Sequence, residues 1–164
     1  MKKCCILLLI VLLMSGCSGE QTFERVYDDL LLPAMAPVAQ LQVELPTSAA
    51  QPVLTNDTGE KLYFCDGYTL AVQTLEAGDL NKSLKSLCGY GQEELTVLET
   101  WSETHSRYDW AFTCAGEGGT QVGRGAILDD GNYHYCVTVL AQESGSGALQ
   151  DTWNDLFASL SITG

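Results

Sequence analysis

The chain has 164 residues, 46% of them hydrophobic, and twenty-one acidic residues outnumber eight basic ones for a net charge of −13. That balance excludes a nucleic-acid binder, which needs Lys and Arg to displace counterions from phosphate. Arg25, Lys61, Lys82, Lys85, Arg107 and Arg124 are too scattered to make a basic stripe. It also disfavours peripheral adhesion to anionic lipid. The acid excess serves first to keep the protein soluble and second to draw cations or a basic partner.

The first sixteen residues carry the parts of an export signal: Lys2 and Lys3, an apolar run from Cys4 to Met14, and small residues behind it. That run is too short for a membrane span, which needs about 20 apolar residues. Leu13-Met14-Ser15-Gly16-Cys17 resembles the lipobox of bacterial lipoproteins, with Met14 where that family usually has leucine. The resemblance implies that the Cys17 thiol takes up diacylglycerol, that a lipoprotein signal peptidase removes residues 1–16, and that the new amino terminus is acylated. Two or three acyl chains, at about 0.8 kcal/mol per buried methylene, make a durable tether. The expected location is the cell membrane, with the domain lipid-anchored and facing outside the cytoplasm. The mature chain keeps six basic against twenty-one acidic residues.

Residues 17–40 read as a lipidated amino terminus and tether. Phe23, Val26, Tyr27, Leu30 and Leu31 lie at helical spacing, so a short helix at 22–32 is one expectation; an extended spacer held by Pro33 and Pro37 is the other. Residues 41–164 have the size of one domain with one core. Leu41, Val43 and Leu45 alternate with polar residues as in a half-buried strand that Pro46 ends. Lys61 to Cys65 and Tyr68 to Leu75 flank Asp66-Gly67 as a hairpin. A helix follows from about Asp79 to Cys88, with Leu80, Leu84, Leu87 and Cys88 inward and Gly89 at its end.

Strands are expected at Glu94 to Trp101, Arg107 to Ala115, Thr120 to Leu128 and Tyr133 to Ala141, in a meander. Leu149, Trp153, Leu156, Phe157 and Leu160 then mark a closing helix. The fold class is α+β: a mostly antiparallel sheet of about five to seven strands flanked by two main helices. The strand Tyr108 to Cys114, the turn Asp130-Gly131-Asn132, the strand opened by Tyr133-His134-Tyr135 and the helix around Trp153 to Leu160 together resemble the PsbP-like fold. The resemblance covers Leu41 to Ile162 and implies an α/β/α sandwich. No metal or partner-binding motif of that family can be placed on this chain, so no cofactor is implied.

Four cysteines, Cys65, Cys88, Cys114 and Cys136, remain in the exported domain. An even count outside the cytoplasm suggests disulfides of unknown pairing. Buried reduced thiols are the alternative. Cys114 and Cys136 are separated by a strand in a meander and are not expected to bridge. Their spacing suits no zinc site. His105 and His134 are the only histidines. A thiol enzyme would use Cys136 beside His134 on one strand face, but proximity alone meets none of the orienting requirements of catalysis.

Asp28-Asp29, Glu93-Glu94 and Asp129-Asp130 read as loop and cap residues, and Asp129 to Asn132 as a turn without the spaced oxygens of a calcium loop. Gly116, Gly118, Gly119, Gly123 and Gly125 join strand to strand and so do not form a dinucleotide loop. Gly123 and Gly125 mark a bulge or a close backbone approach. Tyr108, Trp110 and Phe112 share one face, as core or as a ligand platform. The expected role is a non-catalytic module that binds another protein of the envelope; the alternative is a small-ligand or carbohydrate-binding domain, and a thiol-dependent enzyme comes third. A partner surface would show a flat apolar patch, and a ligand site a concave pocket.

Overall fold

Period-two alternation of apolar and polar residues builds most of this structure, a computed structural model that describes residues 39–46, 52–55 and 60–163. The expected signal, Cys17 and the 22–32 helix lie outside those residues. Strands β2 (Leu54–Thr55), β3 (Lys61–Cys65), β4 (Tyr68–Glu76), β5 (Val97–Trp101), β6 (Ser106–Gly116), β7 (Gly119–Asp129) and β8 (Tyr133–Gln142) form one sheet in the order β2-β3-β4-β8-β7-β6-β5. Every pairing in it is antiparallel. Helix α1 (Leu80–Cys88) packs on one face and helix α2 (Gln150–Ala158) on the other. The result is the two-helix α+β sandwich expected from the pattern of elements. Among the described residues no helix is long and apolar enough to cross a membrane.

The expected meander from β5 to β8 is present, but β8 then returns to pair with β4, which places the hairpin β3-β4 beside the meander. Three local expectations are corrected. The first strand is only Gln40–Gln42, β1, and stands outside the main sheet, paired with β9 (Ser161–Thr163). The reading missed β9 because a three-residue strand has no period to detect. Glu94 belongs to a single 3-10 turn (Gln92–Glu94), where its carboxylate accepts from the Gly91 N–H at 2.8 Å. Gly123 and Gly125 sit in an unbroken β6-β7 register, so neither marks a bulge.

Those glycines answer instead to the aromatic rings opposite them. Trp110 faces Gly125 and Phe112 faces Gly123, and each ring occupies the space beside its glycine where a Cβ would stand. A Cβ on Gly125 would stand 2.2 Å from Trp110 Cζ2, and one on Gly123 would stand 2.4 Å from Phe112 Cζ. The missing side chains are the space the rings occupy.

The α1 face buries Leu84, Trp110, Ile127 and Cys136, with Leu80, Leu87 and Cys88 packed against them as the helical stripe predicts. Asp79 caps α1 through the Asn81 N–H, and Gly89 ends it at φ +83°. The α2 face holds the larger cluster, in which Tyr63, Tyr68, Leu70, Tyr135, Val137 and Val139 meet Trp153, Leu156 and Phe157.

The turn between β7 and β8 is held by Asp130. Its carboxylate accepts from the Asn132 and Tyr133 amides, both at 2.8 Å, and from the Tyr135 hydroxyl at 3.0 Å. Tyr135 Oη in turn accepts from the Ala39 N–H. Burial pushes the Asp130 carboxyl up, but these hydrogen bonds outweigh it and hold the group below the usual carboxylate range. A depressed folded-state pKa contributes stability that is complete above the unfolded value near 4 and is lost as pH falls through the folded one. Asp130→Asn is therefore expected to lower stability by about 1.5–3 kcal/mol at pH 7 and by less in acid, as the pH falls through the folded-state value. Urea unfolding at pH 7 and in acid checks this, and a pH-independent difference would contradict it.

Candidate functional site

Strand β6 has eleven residues and β5 only five, so the two lengths leave part of β6 uncovered. The β5-β6 ladder runs from Trp101 opposite Ser106 to Val97 opposite Trp110, and there the chain turns away through Leu95 into the 3-10 turn. Residues Ala111 to Gly116 continue past that point paired with β7 on one side and, among the described residues, with no strand on the β5 side. Along the first half of this edge, Ala111 to Thr113, runs a cleft of about 770 Å³.

One wall of the cleft comes from Tyr90, Glu94, Leu95 and Phe112. The Tyr90 and Phe112 rings lie 6.2 Å apart, and the Tyr90 hydroxyl donates to the Thr113 carbonyl at 2.7 Å. The other wall is the start of α2, with Gln150, Trp153 and Asn154, and Val122 and Arg124 of β7. Arg124 donates to Asn154 Oδ1 at 2.8 Å and lies 4.4 Å from the centre of the Phe157 ring. Among the described residues, Glu94 and Arg124 are the only charged ones lining the cleft, and no histidine or cysteine lines it.

Of the aromatic trio, Trp110 is core, while Phe112 both packs against that core and lines the cleft. The large exposed apolar side chains do not gather into a flat patch. Leu98 and Trp101 stand on β5 opposite Asp109 and Ser106, hence on opposite faces of the sheet. Val53 and Phe64 lie at the far edge.

The four cysteines are free thiols in the structure, and the sheet limits what oxidation can join. Cys65 packs on the α2 face and Cys88 and Cys136 on the α1 face. Cys65 and Cys114 are four strands apart, about 19 Å at the usual spacing. Cys114 and Cys136 lie on either side of β7, and their partners there, Gln121 and Ile127, are about 20 Å apart along the strand. A bridge needs Cα atoms within about 7 Å. Any disulfide in the domain must therefore include Cys88, and two cannot coexist. Thiol titration of the unfolded, unreduced mature domain, with Cys17 replaced, should find at least two free thiols; two disulfides would contradict this topology.

His134 and Cys136 share a face, yet their side chains do not engage each other. The Cys136 thiol donates to the His134 carbonyl at 3.3 Å, and burial pushes it up to about 12. Alkylation of the native protein is expected to spare Cys136, and rapid modification there would contradict its burial. The His134 ring instead lies between Ser83 Oγ, 2.8 Å from Nδ1, and Asp129 Oδ2, 3.5 Å from Nε2. Sequence reading missed Ser83, although it falls on the inner stripe of α1 between Leu80 and Leu84. Serine and histidine are both buried and neither lines the cleft, so the trio reads as a polar tie between α1 and the sheet. Ser83→Ala strands a buried ring nitrogen and should cost about 1–3 kcal/mol in denaturant unfolding; a cost near zero would contradict the tie. His105, by contrast, belongs to the exposed β5-β6 turn with Ser102 and Thr104.

Similar architecture occurs in solved structures at low sequence identity. A protein from Bacteroides thetaiotaomicron matches 76% of this chain with a TM-score of 0.51 and 10% identity, and the chain spans less than half, 45%, of its length. LpqN, involved in cell envelope biogenesis of Mycobacterium tuberculosis, matches 77% of this chain and 85% of its own, with a TM-score of 0.50 and 11% identity. The Saccharomyces cerevisiae Ran-binding protein Mog1p gives a TM-score of 0.47 at 12% identity, over 74% of this chain and 89% of its own. A scan against protein-family models and a search of the curated proteins return no match.

Proposed function

We propose that the chain is a lipid-anchored protein of the cell envelope, held outside the cytoplasm through Cys17, and that its domain is a non-catalytic module binding another envelope protein in the cleft along β6. The observation that carries the reading is the cleft: about 770 Å³ of concave surface between two secondary-structure walls, floored by an uncovered strand. Its size and concavity suit a small ligand as well; what favours a protein segment is the uncovered β6 edge beside it, with main-chain donors and acceptors repeating every second residue. Its charged groups, Glu94 and Arg124, already hold internal partners, and no candidate nucleophile of the thiol type faces it. The lipobox resemblance supports the anchor, and the occurrence of the fold in LpqN is in keeping with that compartment.

A small-ligand or carbohydrate site is the second reading, favoured by the concavity and by the Tyr90-Phe112 ring pair. Chemical crosslinking of the tagged protein in its own cells, with mass spectrometry of the adducts, tests the proposal. The expected result is a reproducible protein adduct that disappears in Gln150→Trp, which fills the cleft. An adduct that survives the substitution would contradict the cleft as the binding surface, and no protein adduct would move the reading to small ligands.

A further inference from the structure

We propose that the cleft takes an extended, net-basic segment of the partner protein as an added β-strand on the free edge of β6; this rests on the reading of the cleft as a protein-binding site. In the β5-β6 turn the Ser102 N–H donates to the His105 carbonyl at 3.0 Å, so Ser102 and His105 form a hydrogen-bonded pair. Strand groups alternate in direction, which turns the main-chain groups of odd-numbered β6 residues toward β5 and, beyond Trp110, toward the cleft. The Tyr90 bond to the Thr113 carbonyl is a second, independent sign of the same orientation.

The N–H of Thr113 and the N–H and C=O of Ala115 therefore face outward on the edge away from β7, which no strand among the described residues pairs. Natural sheets blunt such edges with lysine, proline or bulges. Ala111-Phe112-Thr113-Cys114-Ala115-Gly116 has no charge and no proline, and its pairing with β7 is unbroken. The opposite edge of the sheet, β2, is only two residues long.

Donors and acceptors repeating every second residue match another strand better than a compact ligand. Alternate side chains of an added strand would meet Phe112 and Leu95 on one side and Val122 and Trp153 on the other. The Tyr90 to Leu95 wall and the start of α2 flank the edge at Ala111 to Thr113. The excess of acidic residues over basic ones favours a basic segment.

The test selects binders of the full-length protein, in detergent, from a displayed library of random short peptides, and measures them against Thr113→Pro and Ala115→Pro. Proline is tolerated where the lost N–H faces off the sheet edge, so β6 should keep its pairing with β7, which circular dichroism and melting verify. The expected peptides are basic with alternating apolar residues. They should lose about tenfold or more in affinity to either proline variant, keep it toward Lys61→Ala, and lose it on N-methylation at alternate positions only. If no peptide is selected, or if peptides bind the proline variants as they bind wild type, strand addition is overturned. Peptides that ignore the proline variants but fail on Gln150→Trp would overturn strand addition alone and leave the cleft as the binding surface.

Discussion

Gly125→Ala should destabilise the protein by about 1–3 kcal/mol, although alanine for glycine in a strand ordinarily stabilises by reducing the freedom of the unfolded chain. The added Cβ would stand 2.2 Å from Trp110 Cζ2 and 2.6 Å from Cε2. A flexible side chain would move aside, but Trp110 is 3% exposed and wedged among Leu84, Ile127 and Cys136. Against a typical total stability of about 5–15 kcal/mol, such a loss is a large share. The cause can be isolated, because Trp110→Leu removes the ring that the new methyl meets. In urea unfolding the double variant should be less destabilised than the sum of the two single variants. Gly145→Ala, with nothing within 4 Å of its added Cβ, serves as the control and should change stability little. A Gly125→Ala variant as stable as wild type would refute the ring-beside-glycine account of this sheet.

Cys17→Ala should release the protein from the membrane or block its processing. Without a thiol at that position no thioether to diacylglycerol can form, and among the described residues no helix spans a bilayer in its place. The acidic surface offers no electrostatic substitute, since peripheral attachment to anionic lipid relies on clustered Lys and Arg. Wild type should sediment with membranes and resist high salt, because the proposed attachment is the burial of acyl chains. The variant should be found either as an unprocessed precursor or free of the membrane. Wild-type-like processing and sedimentation of Cys17→Ala would remove the anchor from the account.

Much of the fold was legible because its long elements are strongly periodic. The stripe Leu80, Leu84, Leu87 and Cys88 and the stripe Trp153, Leu156 and Phe157 are both packed inward as their spacing implies. The hairpin at Asp66-Gly67 forms with Cys65 opposite Tyr68, and Gly67 takes φ +82°. What was not legible is set by distance in sequence. The pairing of β4 with β8 joins segments more than fifty residues apart, and nothing local to either one names the other. β9 is too short to show a period, and β1, legible from the alternation of Leu41, Val43 and Leu45, extends only over Gln40–Gln42.

The site was less legible for a related reason. The free edge exists because β6 outruns β5, a difference in length that alternation alone does not reveal, and the extent of β5 was overread to include Glu94. Gly123 and Gly125 carried a signal of close approach, but identifying the approaching group required the register with Phe112 and Trp110. The Ser83-His134 contact spans fifty-one positions and likewise needed the fold.

The most direct test of the central claim is a map of photocrosslinks in living cells. A photoreactive residue is placed singly at Thr96, Thr113 and Gln150 around the cleft, and at Thr74 and Asn132 away from it, in the Cys17-anchored protein. One protein should be trapped from the cleft positions and not from the other two. Equal trapping from both sets, or trapping from Thr74 and Asn132 alone, would show that the partner binds elsewhere and that the cleft is not the working surface.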